Sequence, residues 1–303
     1  MGIESRYIWM DGTLVPFADA KVHVLSHTLH YGLGVFEGIR AYAQTAGGGG
    51  VWRLDEHLRR LLDSAKMCRM EVPYTQDQLK EACLATLRAN DMIEAYIRPI
   101  VFFGAGEMGL GARKNPVHVA IAVWDWGRYL GEDGVQNGIK VQTSTFARGY
   151  VNSNLQRGKI IGQYVNSVLA RYEAVENGYH EALLLDPNGW VAEGTGENVF
   201  IVRDGLVSTP PVINLLPGVT RQSVIDILRH EGIAVTEQLF GRDAVYCAEE
   251  MFFTGTAAEV TPVREIDRRT VGTPGPITRK VQATYAAAVK GEIDWLSGGI
   301  TPV

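Results

Sequence analysis

The stretch Gly127-Arg128-Tyr129-Leu130-Gly131-Glu132-Asp133-Gly134 divides the chain into two blocks, each with its own order of apolar segments. It is polar and glycine-rich and offers little to bury, which suits a connection between domains. The chain has 303 residues, more than one hydrophobic core usually serves. The expected organisation is therefore a small domain over residues 1–130, a linker at 131–136 and a larger domain over 137–303.

The first block alternates strand and helix periods. Asp11-Gly12 lies between the apolar runs 6–10 and 13–17, the strongest short hairpin signal. Residues 20–25 read as a further strand, and 39–42 and 51–54 face each other across the glycine run 47–50. Asp55 can cap a helix in which Leu58, Leu61, Leu62, Ala65 and Met67 recur at helical spacing. Thr75 and Gln78 form a capping box for a second helix. Residues 96–103 and 117–124 are strands, which completes an α+β domain.

The second block reads as a β-rich α/β domain. A strand at 139–145 leads through a loop to a helix at 162–176, expected to bury Val168, Leu169 and Tyr172. Strand 181–185 turns at Asn188-Gly189 into a strand ending at Glu193, and short strands flank Asp204-Gly205. A helix follows Leu216–Thr220 with Val224, Ile225, Ile227 and Leu228 on its apolar side, and others lie at 242–248 and about 276–291, with strands at 234–236 and 251–253.

Bulk properties exclude several classes. Net charge is −5, so no global basic field draws nucleic acid or an anionic membrane. Three scattered cysteines give neither a disulfide framework nor a zinc knuckle and suit a reducing compartment. Residues 1–12 carry charges and no apolar core, unlike a secretory leader, and Arg6 stands where a myristoylation signal at Gly2 would place Ser or Thr. The expected location is the cytoplasm. Gly104-Ala105-Gly106-Glu107-Met108-Gly109 fits the dinucleotide pattern in letters, but Gly111 and Pro116 deny it the helix that a pyrophosphate needs. His23, His27 and His30 would face one metal on a helix, yet Leu25 stands where a general base belongs and the neighbouring valines favour a strand.

Lys159 is placed differently. It lies in Gly158-Lys159-Ile160-Ile161-Gly162-Gln163-Tyr164, among small and apolar residues, whereas an ordinary lysine keeps its ammonium in water. Downstream, Glu193-Gly194-Thr195-Gly196-Glu197-Asn198 ends an apolar strand on a carboxylate. A lysine able to lose its charge and a buried acid are what a pyridoxal phosphate (PLP) site requires, one for the Schiff base and one to keep the pyridine nitrogen protonated. Leu216-Pro217-Gly218-Val219-Thr220 turns directly into a helix whose N–H groups can bind a phosphate, although Thr220 as a plain N-cap explains the same residues. Gly255-Thr256 offers a second donor-rich loop, and Arg60 is a candidate cation for the phosphate.

Together these stretches resemble the branched-chain amino acid aminotransferases, fold-type IV PLP enzymes, from Tyr7-Ile8-Trp9 to Gly275-Pro276. The likeness is densest at His30-Tyr31-Gly32 with Phe36-Glu37-Gly38-Ile39-Arg40, at 159–167, at 193–198 and at 255–263. Departures are Gln163 where the family often has Asn, Leu33-Gly34 for Thr-Ser, and Gly158 before the lysine where Ala is usual; loop 148–157 has no assigned role.

The resemblance implies a two-domain enzyme with the cofactor in the cleft, transferring the amino group of leucine, isoleucine or valine to 2-oxoglutarate. Lys159 would hold PLP covalently and Glu193 would pair with its ring nitrogen. Tyr164 would bond the phenolate oxygen, and Leu216 would lie on the ring. Arg60, Val219, Thr220 and Thr256 would hold the phosphate. Tyr96 with the Thr256 and Ala257 amides would take the substrate α-carboxylate. Phe36, Trp126, Tyr129 and Tyr31 would surround its side chain, Tyr31 coming from a second subunit of an oligomer that is at least a homodimer. Arg98 would take the distal carboxylate of glutamate. Partners are thus amino acids and 2-oxo acids. A D-amino acid aminotransferase, an aminodeoxychorismate lyase and a catalytically silent PLP-binding protein are the alternatives.

Overall fold

The computed structural model describes residues 5–127, 129–272 and 274–303; Gly2 and Arg128 of the sequence reading lie outside them. The chain forms two compact units. The first runs through Gly127 and also takes Gly158–Gln163 and Ala288–Val303. The second comprises the residues between Gly127 and Gly158, together with Tyr164–Ala287.

The first unit contains β1 (Tyr7–Met10), β2 (Thr13–Pro16), α1 (His27–Tyr31), β3 (Gly34–Phe36), β4 (Ile39–Ala43), β5 (Gly49–Trp52), α2 (Leu54–Met67), α3 (Gln76–Ala89), β6 (Ala95–Phe103) and β7 (Val117–Trp124). The β1–β2 hairpin turns at Asp11-Gly12, both at positive φ, as a two-residue turn between right-twisted strands demands. The Thr75–Gln78 capping box of α3 forms in full. Two expectations fail. Residues 20–25 are not a strand; a short helix begins at His27. Asp55 does not cap α2: Arg53 stands there at φ 48°, and Asp55 instead receives Lys80 Nζ at 2.9 Å. Leu58, Leu61 and Ala65 of α2 with Leu79, Cys83 and Leu87 of α3 pack on Ile97, Val119 and Ile121 of the sheet, each nearly water-free. That is the core which fixes the first unit.

The second unit contains α4 (Gly131–Asn137), β8 (Ile139–Thr143), α5 (Tyr164–Glu176), β9 (Glu181–Leu185), β10 (Val191–Gly194), β11 (Asn198–Arg203), β12 (Leu206–Thr209), α6 (Val219–His230), β13 (Val235–Glu237), α7 (Arg242–Tyr246), β14 (Glu250–Gly255), β15 (Glu259–Ile266), β16 (Arg269–Thr270) and α8 (Pro276–Val289). The last strand, β17 (Ile300–Pro302), pairs with β5. Among the described residues the first sheet runs β17-β5-β4-β6-β7-β1-β2, with β3 on β6, and the second runs β10-β9-β8-β15-β14-β11-β12-β13, with β16 on β15. Every pairing in the first is antiparallel; β8–β9, β8–β15 and β12–β13 are parallel in the second. The mixed α/β class is as expected.

The expected linker at 131–136 is helical, because α4 continues to Asn137 and lies against β15. The expected boundary also misplaces two segments. Residues 158–163 join the first unit through backbone bonds to β3, and residues 288–303 join it through β17. The burial expected of α5 is reversed as well. Ser167, Ala170 and Ala174 face inward, while Val168, Leu169 and Tyr172 are 43%, 42% and 61% exposed. Small residues let the helix sit close to Ala182 and Leu184 of β9. No helix among the described residues is long and apolar enough to cross a membrane.

Candidate active site

Lys159 is half-buried and precedes a 3-10 turn at Ile161–Gln163, so it is not a solvated lysine at a helix start. Its main chain is tied at both ends. Lys159 N donates to Ser64 Oγ at 3.0 Å, and Phe36 N donates to Lys159 O at 3.1 Å. Gly162 N reaches Gly32 O at 3.0 Å. Gly32 is left-handed at φ 71°, and a Cβ on it would stand 3.0 Å from Gly162 Cα, so glycine is needed at this crossing. Lys159 Nζ lies 4.9 Å from the Phe36 ring centroid.

Ser64 is buried on α2, and its hydroxyl donates to Arg60 O one turn earlier, which links the lysine backbone to the arginine helix. Arg60 is held by Glu37 in a fork, Nε to Oε1 at 2.7 Å and Nη2 to Oε2 at 2.8 Å. His57 Nδ1 meets the same carboxylate at 2.8 Å. Burial alone would raise the Glu37 carboxyl, but Arg60 and then His57 overcome it and hold the group well below the usual carboxylate range. Burial pushes His57 down, so a neutral ring donates to Glu37.

Aromatic rings gather around Arg98 on β6. Its guanidinium carbon is 4.9 Å from the Phe36 centroid, 5.3 Å from Tyr96 and 5.6 Å from Trp124. Trp126 closes on Tyr96 edge to face at 4.6 Å. Arg98 Nε is buried with no hydrogen-bond partner among the described residues. Gly38 makes room for the Tyr96 hydroxyl, which a Cβ there would meet at 1.8 Å. Tyr31 is separate: its ring contacts are with His27 and His30, and it is 44% exposed. Of the three histidines, His27 Nε2 bonds Gly109 O, His30 Nε2 bonds Val24 O, and His23 Nδ1 accepts from Leu25 N.

In the second unit Glu193 is buried as the next-to-last residue of β10. Arg148 Nη2 is 2.6 Å from its Oε1, and Asn198 Nδ2 donates to Oε2 at 3.2 Å. The same amide donates to Leu216 O at 3.0 Å, so Asn198 ties the acid to the segment before α6. The N-cap of α6 is Gly218, not Thr220, which lies in the first turn. A Cβ at Gly218 would stand 2.0 Å from Asn198 Oδ1, so the chain passes here only as glycine. The first-turn N–H groups of Val219 and Thr220 have no capping side chain, which suits an anion. Thr256 and Ala257 form the turn between β14 and β15, and Asn198 faces Thr254 across the β11–β14 ladder. Tyr164 begins α5. Tyr129 lies by Arg171, whose guanidinium carbon is 5.8 Å from its ring.

Of the residues named from the sequence, Phe36, Tyr96 and Trp126 gather near Arg98, and Glu193 is tied through Asn198 to Leu216 before α6, whereas Tyr31 and Tyr129 have other neighbours. The sequence reading missed Glu37 and Ser64 as the supports of Arg60 and Lys159, and Arg148 as the counter-charge of Glu193. Only Glu37 had a signal in the sequence, an acid followed by glycine inside an apolar strand pair.

Residues 34–266 match the family model described as amino-transferase class IV. A branched-chain-amino-acid aminotransferase of Pseudomonas aeruginosa is 50% identical over 296 residues, covering 97% of this chain and 96% of that protein. The structure of a branched-chain aminotransferase from the archaeon Thermoproteus uzoniensis with norvaline superposes with a TM-score of 0.94 at 42% identity, over 99% of both chains. That of the branched-chain amino acid aminotransferase from Thermobaculum terrenum in its PLP-form gives 0.92 at 34% identity, again over 99% of both. The half-buried lysine, the shielded acid and the uncapped α6 entrance thus sit in a chain that matches these proteins over nearly its whole length, and the chain belongs to the class IV aminotransferases.

Proposed function

We propose that the chain transfers the amino group of L-leucine, L-isoleucine and L-valine to 2-oxoglutarate, with PLP as cofactor. The observation that carries the substrate reading is Arg98 within its aromatic ring set, with Nε buried and unpartnered. Rings accept a branched aliphatic chain, and a guanidinium among them accepts the distal carboxylate of glutamate, which a wholly apolar pocket would strand. The names and ligands of the relatives support the same reading.

The donor set suits the cofactor. The α6 entrance at Val219 and Thr220, with Thr256 and the Glu37-held Arg60, takes the phosphate. Glu193, paired with Arg148, would take the ring nitrogen. Tyr164 donates to the phenolate oxygen, and Leu216 covers the ring. When bound, PLP supplies an electron sink for the charge left on the substrate Cα.

Lys159 anchors the cofactor. Its Nζ, when free, would take the substrate Cα proton and later give it back as general base and acid. Tyr96 and the Thr256 and Ala257 amides orient the α-carboxylate, while Phe36, Trp126 and Tyr129 line the side-chain space. Tyr31 serves the site of a second copy, so the working unit is a homodimer or larger, and the compartment is the cytoplasm.

The test is a panel of L- and D-amino acids followed by the absorbance of the protein-bound cofactor. L-leucine, L-isoleucine and L-valine are expected to convert it, and 2-oxoglutarate to restore it. Preference for D-amino acids would replace the substrate assignment, and no conversion by any amine would replace the enzyme reading.

A further inference from the structure

Behind Glu193 lies a group of buried charges that the transfer reaction does not use directly. Glu181 begins β9, Glu193 is the next-to-last residue of β10 on the neighbouring strand, and Glu197 precedes β11. All three are buried, at 0%, 5% and 4% exposure. Two have strong donors. Glu181 pairs with Arg171 of α5 and accepts from Thr195 Oγ1 and Ala182 N, each at 2.7 Å. Glu193 pairs with Arg148 and accepts from Asn198.

Glu197 has no ion pair among the described residues and accepts from Gly196 N at 3.0 Å. The backbone nevertheless makes room for it. A Cβ at Gly194 would lie 2.9 Å from Glu197 Oε2, and one at Gly255 would lie 3.4 Å from its Cγ. A buried carboxyl that only a glycine at position 194 admits, without an ion pair of its own, is a poor anion and a good proton holder.

We infer that Glu197 is a positioning residue for Glu193: it carries the one proton that the three buried carboxylates retain at neutral pH, and so leaves Glu193 as the anion presented to the cofactor's ring nitrogen. Two arginines balance two carboxylates, and a third charge would stand uncompensated. The charged groups facing Glu197 are Glu181 from β9, Glu193 from β10 and Arg171 from α5; β14 contributes Gly255 and no charge. Burial first, then repulsion from Glu181, pushes the Glu197 carboxyl up to about 8; burial raises Glu181 as well, but Arg171 and the Thr195 and Ala182 donors oppose it there, and Glu197 has no ion pair to do the same. Above that pH the proton leaves to solvent, the group gains a negative charge, and the proton affinity at the Glu193–ring nitrogen contact rises.

The inference rests on the assignment of Glu193 to the ring nitrogen, and two measurements separate the two claims. Infrared spectra of the wild-type holoprotein should show a protonated-carboxyl carbonyl band at pH 7 that disappears by pH 9 and is missing from Glu197→Gln. A wild-type spectrum without that band overturns the inference whether or not the variant folds.

The second measurement is the dissociation constant of the PLP analogue with carbon in place of the ring nitrogen divided by that of PLP, a ratio that rises as the nitrogen contact strengthens. Between pH 7 and 9 wild type should gain on the order of tenfold more in this ratio than Glu197→Gln, as expected for one added charge at short range. An equal gain in both proteins removes the inference alone. A Glu193→Gln variant that keeps the wild-type ratio removes the Glu193 assignment and the inference with it.

Discussion

Arg148 and Glu193 form an ion pair of 2.6 Å with side chains only 8% and 7% exposed. Such a pair adds little net stability as a unit, but removing one member strands the other charge in a low dielectric. Arg148→Leu should lower the unfolding free energy by about 3–5 kcal/mol, the usual cost of stranding one member. Arg148→Lys, which keeps the charge and loses the planar donor, should lose less. Urea unfolding checks both, and a loss under ~1 kcal/mol for Arg148→Leu would mean that Glu193 takes up a proton at little cost.

Glu37 contributes stability with a definite pH sign. Its folded-state carboxyl lies below its ordinary value, so the folded chain holds fewer protons than the unfolded chain in the acid range. The contribution is present in full above the ordinary carboxylate range and is lost as pH falls. Wild-type Tm should therefore drop more steeply than that of Glu37→Gln between pH 6 and pH 3. Parallel curves would show that Arg60 and His57 do not hold the group ionised.

Gly218→Ala should damage the α6 entrance without touching a charge. The added methyl group meets Asn198 Oδ1 at 2.0 Å, and Asn198 also bonds Glu193 and Leu216. Displacing α6 from its anion-facing position should weaken PLP binding at least ~10-fold, the scale of one lost charge-assisted hydrogen bond. Equilibrium titration of the apoprotein reads it; unchanged affinity would remove the phosphate role of α6.

Arg98→Met keeps the apolar stem and deletes the carboxylate partner. Conversion by leucine should fall only a few-fold, whereas kcat/KM for glutamate and 2-oxoglutarate should fall by ~100-fold or more, as expected for an unpaired buried carboxylate. Separate half-reaction rates give the comparison, and an equal loss for both substrates would assign Arg98 to the ring set alone.

Features written within a few neighbouring residues were legible in the sequence. The Asp11-Gly12 hairpin, the Thr75–Gln78 capping box and the turn into α6 each depend on local backbone demands that specific residue types meet. Lys159 and Glu193 were legible because a charged group in an apolar run is costly without a purpose. Their supports were not, since Glu37 meets Arg60 from 23 residues away and Ser64 meets Lys159 from 95. No local pattern records such pairings.

The α5 burial was misread for a different reason. Period alone marks Val168, Leu169 and Tyr172 as a face, but close approach to β9 selects the small residues Ser167, Ala170 and Ala174 instead. Residues 158–163 followed the lysine into the wrong unit because sequence order does not show that their backbone bonds run to β3 and the Gly32 turn.

Lys159 is the residue proposed to hold the cofactor, and borohydride reduction of the PLP-loaded protein followed by peptide mapping tests that role. One pyridoxyl mass increment is expected, on the peptide containing Lys159, and none in Lys159→Ala. A label on another lysine, or a Lys159→Ala protein that still transfers amino groups from leucine, would contradict it.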